Sequence, residues 1–156
     1  MDREGTSRND IRLEEIMHPA VCVTPDAPAR EALKVLLDNN VPGVPVVDED
    51  GTLQGFVTDG HLLDSALPPY MKLMDSMNFV PENADKWVSY LIEAADRPVG
   101  EVMSREVSQV DVGRSEIAVA HKMVHDGVSS VVITRGGKVV GIVNRLDLYS
   151  AIVGLE

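Results

Sequence analysis

The sequence predicts an α/β (α+β) fold of two β-α-β-β-α repeats, packed with pseudo-twofold symmetry and separated by a helical insert. Three observations predict it: a long stretch recurs later in the chain, each copy carries two valine-rich runs joined by a turn, and each copy has amphipathic helix spacing. One repeat of about 50 residues buries too little apolar surface to be stable alone. We therefore expect the two copies to share a core and to form two related clefts.

The repeat is visible when the copy beginning at Ile16 is placed over the copy beginning at Val102. Met17 then aligns with Met103, and Gly55 aligns with Gly141 at the same spacing along the chain. One-residue gaps bring the remaining positions into register. The alignment divides the chain into a tail at 1–12, a first repeat at 13–67, an insert at 68–98 and a second repeat at 99–156.

The first copy begins with a short β-rich run, Val21 to Val23, which we predict to be a strand. A polar turn then leads to an amphipathic helix, whose apolar positions at helical spacing are Ala32, Leu33, Leu36 and Leu37. Two apolar runs follow, VPVV and LQGFV, joined by the turn DEDG. A second helix closes the repeat.

The second copy shows the same signals in the same order. Its first strand is predicted at Val107 to Val110, and its helix keeps the apolar face with Val119, Ala120, Met123 and Val124. The runs SVVIT and VVGIV are joined by RGG, which is typical of a β-hairpin. Strands this rich in valine and isoleucine suit a sheet that is covered by helices.

The insert between the copies matches neither of them. Pro68 and Pro69 end the preceding helix, and Pro81 to Asn83 precede another helix. The apolar residues spaced for helix faces are Tyr70, Leu73, Met74 and Met77 in the first part and Trp87, Leu91 and Ile92 in the second. Such stripes indicate either helices packed over the repeats or a surface for a partner or a second copy.

The composition restricts the partners and the compartment. The chain has 25 acidic and 14 basic side chains, a net charge of -11, which repels nucleic acid and anionic membranes. No apolar run approaches the roughly 20 residues of a membrane helix. Cys22 has no second cysteine to pair with, and its place in VCV predicts a small buried hydrophobe. We expect a cytoplasmic protein with neither a nucleic-acid nor a membrane partner.

Each copy ends in the pattern Gly-apolar-apolar-Thr/Asn-x-x-Asp/His-apolar, at GFVTDGHL and GIVNRLDL. This ordered repeat resembles a pair of CBS domains, the module named after cystathionine beta-synthase. The resemblance covers about Leu13 to Leu67 and Val99 to Val153, including VPGVPVVDEDGTLQGFVT and SSVVITRGGKVVGIV. Any one of these motifs is weak, whereas their repetition in order is specific.

The resemblance implies a regulatory module that requires no cofactor and binds an adenosine-containing ligand in the clefts between the repeats. AMP, ADP, ATP and S-adenosylmethionine are the ligands of this class. In the family the final aspartate binds the ribose hydroxyls, and the residue three positions earlier helps to hold phosphate. These positions are Asp147 and Asn144 in the second copy, and His61 and Thr58 in the first.

The resemblance implies further contacts from the turn after the first strand and from the backbone around the second strand. The corresponding residues are Thr24, Val44, Pro45 and Val46 in the first copy and Asp111, Ser130, Val131 and Val132 in the second. Asp111 stands where the family has Ser or Thr, and its carboxylate would repel a phosphate. Adenosine and S-adenosylmethionine therefore stay open beside the phosphorylated ligands.

The residues at each corner, where the last strand of a repeat turns into its closing helix, have two explanations. One is a contact with the ligand, and the other is a local structural role. A strand that turns into a helix leaves unpaired amides that favour an anion, and Thr58 and Asn144 are also good N-caps. Asp147 lies one turn into its helix, where the helix dipole favours a carboxylate, but it also suits a vicinal diol. Arg145 is either a positive charge for a phosphate or an exposed residue at the helix start.

His61 distinguishes the first copy from the second. A neutral imidazole has one acceptor nitrogen, so it cannot replace a carboxylate that accepts from two hydroxyls. We therefore expect a weakened site in the first copy. The alternatives for His61 are a phosphate contact when it is protonated, a plain surface position and the mark of a lost site.

The sequence contains no cluster of nucleophile, base or metal ligands, and it predicts no enzyme. His121 and His125 have the i, i+4 spacing of two metal ligands, but they align with the exposed side of the first copy's helix. Two functions stay open: a ligand-sensing module that signals to a partner protein, or a structural and oligomerisation domain with vestigial clefts. The resemblance also implies a homodimer, and we expect any regulated partner to be a separate polypeptide.

Overall fold

The computed structural model describes residues 11–67 and 84–155, which form two compact units. Of these residues, unit 1 comprises 11–21, 47–53 and 106–155, and unit 2 comprises 22–46, 54–67 and 84–105. The helices are α1 Leu13–Ile16, α2 Ala29–Asn39, α3 Asp59–Ala66, α4 Ala84–Ala94, α5 Val99–Val102, α6 Glu116–Asp126 and α7 Arg145–Val153. The strands are β1 Gly43–Val47, β2 Leu53–Thr58, β3 Gln109–Asp111, β4 Ser130–Arg135 and β5 Lys138–Asn144. The mixed helix and strand fold predicted from the sequence is confirmed.

Unit 1 contains the sheet β3-β4-β5, with β4 in the centre. β3 runs parallel to β4, and β5 runs antiparallel to it, so that Ser130 lies opposite Asn144. The turn between β4 and β5 is formed by Gly136 and Gly137, whose φ angles are 60° and 83°. Positive φ at both central residues is what a tight hairpin turn requires, and it confirms the hairpin predicted at RGG.

The core of unit 1 includes a residue from the first sequence repeat. Its buried residues are Leu13, Val110, Val119, Met123, Val131, Ile133, Val143 and Leu148. Leu13 belongs to α1, which contacts β5 and α7, and its side chain is fully buried. The helix that begins the first repeat therefore completes the core around the second repeat's sheet.

Unit 2 shows the reciprocal arrangement. Its buried residues are Val23, Ala27, Ala32, Leu36, Val44, Val46, Val57 and Val99. Val99 is the first residue of α5, which begins the second repeat, and it is fully buried where α5 contacts α2 and α3. Each core thus contains a fully buried residue supplied by the leading helix of the other repeat.

The strand predicted at Val21 to Val23 is wrong, because the pairing there is shorter than predicted. Only Val23 pairs, through one isolated parallel bridge to Val46, with its amide donating to the Pro45 carbonyl at 3.1 Å. The next rung of a parallel ladder would need an amide at Pro45 to reach the carbonyl of Val21. Proline has no N–H, so the ladder stops. In the second copy a strand does form, but it spans Gln109–Asp111 and so begins two residues after the predicted start at Val107.

The apolar helix faces are narrower than the sequence predicts. Ala32 and Leu36 in α2 are buried, but Leu33 and Leu37 are 45% and 71% exposed. The same shift occurs in α6, where Val119 and Met123 are buried, Ala120 is half-buried and Val124 is exposed. Each helix therefore presents a single stripe to its sheet, and the adjacent apolar positions face outward.

Cys22 is half-buried rather than fully buried, which corrects the sequence prediction. Burial nevertheless raises the pKa of its thiol above the ordinary value. A raised pKa means that less of the reactive thiolate is present near neutral pH.

The second part of the insert forms α4, as predicted, and α4 packs on α3 of unit 2. Ala94 is buried in that contact, whereas Ile92 is 60% exposed. The apolar positions predicted for the first insert helix, from Tyr70 to Met77, lie outside the described residues. Within the described ranges, none of the helices has both the length and the apolar character needed to cross a membrane.

Candidate functional site

The corner between β5 and α7 brings several of the predicted ligand residues together in unit 1. The amide of Arg145 donates to the carbonyl of Ser129 at 2.8 Å, which fixes the start of α7 beside the start of β4. Asn144 and Arg145 are exposed, Ser130 lies opposite Asn144 in the sheet, and Asp147 follows within the first turn. The polar groups at this corner are therefore accessible from one end of the sheet.

Asn144 does not cap α7, although the sequence made it a good N-cap. Its backbone is extended, with φ −96° and ψ 150°, and among the described residues its side chain makes no capping hydrogen bond. The first amides of a helix have no partner within the helix, and together with the dipole they favour an anion. The structural explanation for Asn144 is thus not supported, whereas an open helix start suits a ligand.

The carboxylate of Asp147 is held by a residue that the sequence analysis did not identify. His18 Nε2 lies 2.6 Å from Asp147 Oδ2, and the two side chains are 55% and 44% exposed. Pairs this exposed add only about 0–1 kcal/mol to stability. The consequence of the contact is therefore the orientation of the carboxylate.

The backbone of His18 is fixed against β5. The His18 amide donates to the Ile142 carbonyl at 2.8 Å, and the Ile142 amide donates to the His18 carbonyl at 2.9 Å. Gly141 permits this approach, since a Cβ there would lie 2.7 Å from Met17 Sδ and 3.0 Å from the His18 oxygen. The glycine of the repeated motif is thus required by close packing of the chain over the strand.

The equivalent corner in unit 2, between β2 and α3, is closed by its own side chains. Thr58 Oγ1 accepts a hydrogen bond from the His61 amide, and His61 Nδ1 accepts one from the Thr58 amide, both at 3.1 Å. This reciprocal pair is a capping box, and it supports the structural explanation for Thr58. His61 is therefore engaged in holding the start of the helix.

The backbone framework of the two corners is the same, but the side chains differ. In unit 2, Ser104 pairs with Phe56 in both directions at 2.9 Å, as His18 pairs with Ile142 in unit 1. Asp59 begins α3, whereas Arg145 begins α7. The charge of the first helix residue therefore opposes an anion at the unit 2 corner and favours one at the unit 1 corner.

Asp111 and Thr24 are not brought to the corners of their own units. Asp111 lies opposite Thr134, four residues along β4 from Ser130, which is about 13 Å at roughly 3.3 Å per residue. Its Oδ2 accepts from the Gly113 amide at 2.9 Å, so the carboxylate shapes the turn after β3. Thr24 likewise follows Val23, which is level with Val46 near the far end of β1.

The remaining predicted positions lie in β1 and β4. The side chains of Val44, Pro45, Val46, Val131 and Val132 are all buried in the cores. With their side chains buried, these residues have only backbone groups to offer a ligand. Pro45 adds a carbonyl but no donor.

The described residues 11–67 and 84–155 contain no group of three or more His, Cys, Asp or Glu side chains arranged to hold a metal ion. His121 and His125 are exposed on α6, as predicted, and their rings stack with centroids 5.8 Å apart. His125 Nδ1 also lies 2.9 Å from Asp126 Oδ1. The pair therefore behaves as a surface feature of the helix.

One sequence signal could have identified His18. The aligned pair Met17 and Met103 places His18 over Ser104, and in each copy the methionine and the residue after it pack onto a glycine. The alignment therefore marks a repeated backbone contact. It does not reveal that the histidine reaches Asp147, because the two residues are 129 positions apart.

Two curated relatives come from Methanocaldococcus jannaschii. The chain is 25% identical over 148 residues to the uncharacterized protein MJ1404, covering 94% of this chain and 33% of that protein. It is 23% identical over 152 residues to the uncharacterized protein MJ1426, covering 90% of each. The chain thus spans a third of the first relative's length and nine tenths of the second's.

A solved structure with the same fold is CBSX2 from Arabidopsis thaliana, crystallised in complex with AMP. The complex superposes with a TM-score of 0.68 at 22% identity, over 92% of this chain and 96% of that one. At this identity the likeness concerns the fold. The CBS domain family matches the sequence at residues 13–67 and again at residues 99–154. The chain therefore belongs to the CBS domain family and carries a tandem pair of CBS domains.

Proposed function

We propose that this CBS pair is a regulatory module that binds an adenosine-containing ligand at the β5–α7 corner of unit 1. The ligand is AMP, ADP, ATP or S-adenosylmethionine, and its binding alters the contact of the module with a partner protein. The observation that carries the proposal is the exposed Asp147 carboxylate, oriented by His18 beside a helix start that its own Asn144 leaves uncapped. The AMP complex of CBSX2, which has the same fold, supports this ligand class.

Each group at the corner has a chemical role in this proposal. The carboxylate of Asp147 accepts hydrogen bonds from the two ribose hydroxyls, for which it offers several lone pairs. The Arg145 amide stays bonded to Ser129, so the amides of Leu146 and Asp147 and the side chain of Arg145 face the phosphate or another polar group of the ligand. Asn144 supplies an amide donor at the same end of the sheet, and the Ser130 to Val132 backbone lines the base.

The unit 2 corner is proposed to be the weaker site. His61 Nδ1 already accepts from the Thr58 amide, and the hydroxyl of Thr58 already accepts from the His61 amide. A ligand would have to break the capping box, which is worth about 0.5–2 kcal/mol. The acidic Asp59 at the helix start further opposes a phosphate. We therefore expect one occupied site per chain.

Calorimetric titration of the purified full chain, freed of carried-over ligand, with AMP, ADP, ATP and S-adenosylmethionine tests the proposal. At least one of these ligands should bind with a stoichiometry near one. Asp147→Asn should lower the affinity for that ligand by at least about tenfold, which is the usual loss when a hydrogen bond to a charged group is removed. Binding by none of the four, or equal binding by Asp147→Asn, would refute the function.

Asp111→Asn is the matched control for this titration. It makes the same charge change in the same unit, but Asp111 lies at the other end of the sheet. The asparagine oxygen can still accept from the Gly113 amide that Asp111 binds. Its affinity for the ligand should stay within about twofold of the wild type.

A scaffold role is the second candidate function, and the surface of unit 1 favours it. Val124 on α6 is 84% exposed, and Leu146 and Tyr149 on α7 are 78% and 65% exposed. Large apolar side chains exposed on adjacent helices are typical of an interaction surface. On this basis we propose a homodimer; from the sequence we further propose a cytoplasmic protein that is not an enzyme.

Light scattering on a chromatography column distinguishes the two functions. A scaffold predicts a dimer that Leu146→Lys converts to a monomer, together with no response to any of the four ligands. A sensor predicts ligand binding that persists whether or not Leu146→Lys dissociates the protein.

A further inference from the structure

We infer that His18 is a positioning residue of the ligand site: it orients the Asp147 carboxylate so that the carboxylate can receive a ribose diol. The inference rests on the proposed function and assigns a role to a residue outside the repeated motif. His18 comes from the segment after α1, whereas Asp147 lies in α7. The contact joins the two ends of the chain within unit 1.

The direction of the hydrogen bond follows from the chemistry of the two groups. A carboxylate can only accept hydrogen bonds, so the imidazole donates from Nε2 across the 2.6 Å contact. This donation uses one acceptor position on Oδ2. Oδ1 and the second lone pair of Oδ2 stay available to the two hydroxyls of a ribose.

The donor is placed by backbone bonds rather than by a long, mobile side chain. The two hydrogen bonds between His18 and Ile142 fix the Cα of His18 beside β5. Ile142 lies three positions before Arg145, the first residue of α7. An imidazole has only two side-chain torsions. A carboxylate tethered to such a donor has already lost much of the rotamer freedom that a ligand would otherwise have to remove.

Unit 2 shows that the fold itself does not require this histidine. Ser104 makes the same pair of backbone hydrogen bonds to Phe56, beside a glycine packed just as closely. There the aspartate is replaced by His61, whose ring nitrogen accepts from the Thr58 amide. The histidine and the aspartate are thus both present at one corner and both absent from the equivalent positions of the other.

The exposure of the pair also argues for a role in binding. A contact between side chains that are about half exposed contributes little to folding, so stability gives no reason for it. Exposure leaves both groups within reach of a ligand. The prediction is therefore that His18 affects affinity much more than it affects the melting temperature.

The test measures the affinity of the full chain for AMP and for 2′-deoxy-AMP by calorimetry. 2′-Deoxy-AMP lacks one of the two hydroxyls that Asp147 would bind, so the ratio of the two affinities reports on the diol contact alone. The wild type should prefer AMP. His18→Ala should weaken the binding of AMP by about three- to tenfold and the binding of 2′-deoxy-AMP by less, since one hydroxyl remains, and this lowers the ratio.

Three further variants separate positioning from other effects. His18→Gln retains a side-chain amide donor and should restore most of the preference for AMP. In an Asp147→Asn background His18→Ala should have no additional effect, since it acts through that carboxylate. His125 is an exposed histidine on α6 of the same unit, and His125→Ala should bind AMP and 2′-deoxy-AMP with the affinities of the wild type.

The outcomes distinguish this inference from the proposed function. If the wild type binds AMP, and Asp147→Asn weakens it while His18→Ala does not, the positioning role is refuted and the proposed function stands. An equal loss for AMP and 2′-deoxy-AMP in His18→Ala also refutes it. If wild-type binding of AMP is itself insensitive to Asp147→Asn, the proposed ribose site fails, and the role of His18 fails with it.

Discussion

The amides of Thr58 and His61 each donate to the other residue's side chain, so the start of α3 is closed by a reciprocal pair of 3.1 Å hydrogen bonds. The corresponding residues at the start of α7 are Asn144 and Asp147, which make no such pair within the described residues. Asp147 contacts His18 instead. The two corners thus share one backbone arrangement but differ in their side chains. At the start of α3 the polar side chains bond to the local amides, whereas at the start of α7 they stay accessible.

Thr58→Ala is expected to lower the free energy of unfolding by about 1 kcal/mol, because it removes the N-cap acceptor of α3. His61→Ala should lower it by a similar or smaller amount, since it leaves the Thr58 amide without this acceptor. Urea denaturation of the variants measures both effects. Asn144→Ala is the control and should change stability by less than Thr58→Ala; an equal loss would show that Asn144 caps α7 after all.

Leu13→Ala is expected to cost about 2–5 kcal/mol of unfolding free energy, although Leu13 lies at the edge of the first repeat. Its side chain is fully buried in the core of unit 1, and truncation leaves a cavity there. Val99→Ala should act in the same way on unit 2, with a smaller cost because fewer methyl groups are removed. Chemical denaturation followed by circular dichroism measures both.

Leu37→Ala is the matched control for Leu13→Ala, since it makes the same truncation at a position that is 71% exposed. It should change stability by no more than about 0.5 kcal/mol. If Leu13→Ala costs as little as Leu37→Ala, the leading helix does not complete the core of unit 1.

Gly55→Ala and Gly141→Ala are each expected to destabilise the protein by about 1–3 kcal/mol through overpacking. A Cβ on Gly55 would lie 2.7 Å from the Ser104 carbonyl oxygen, and one on Gly141 would lie 3.0 Å from that of His18. Because backbone atoms cannot move aside as a flexible side chain can, the strands must shift. Thermal melting of the two variants measures the cost.

Gly60→Ala provides the contrast to these glycines. It lies in α3, where a Cβ would be 3.6 Å from Thr58 Oγ1, an ordinary contact. Alanine in a helix is favoured over glycine by about 0.5–1 kcal/mol, so this variant should equal or exceed the wild type in stability. A melting temperature well below the wild type would contradict the packing argument.

Asp126→Asn should destabilise the protein at neutral pH and lose its effect in acid. The hydrogen bond from His125, assisted by Ser108 and Lys122, lowers the pKa of Asp126 from 3.8 to about 2. A depressed folded-state pKa contributes stability that is fully present above the unfolded pKa, near 4, and is lost as the pH falls to about 2.

Melting temperatures of the wild type and Asp126→Asn, compared from pH 7 to pH 2, test this sign. The gap between the two proteins should be constant down to about pH 4 and then close. Asp50→Asn, at an exposed position in the turn after β1, should track the wild type throughout. A gap for Asp126→Asn that widens on acidification would contradict the assignment.

The sequence alone determined the features that depend on neighbours along the chain. The repeat, the hairpin at Gly136 and Gly137, the longer helices and the strand-to-helix corners follow from spacing and turn chemistry that act over a few residues, whereas the short helices α1 and α5 were not predicted. The same local rules placed Asn144, Arg145 and Asp147 at one corner. They also misjudged the helix faces, because helical periodicity gives the apolar side but not how much of it a neighbour covers.

Only the tertiary structure decided which distant segments complete each unit and each site. Leu13 enters a core formed by the second repeat, Val99 enters one formed by the first, and His18 reaches Asp147 from 129 positions away. These contacts join residues that are far apart in the sequence. Local propensities do not determine which distant segments meet. The physical reason is that each small repeat leaves apolar surface uncovered, and within the described residues a segment from the other repeat covers it.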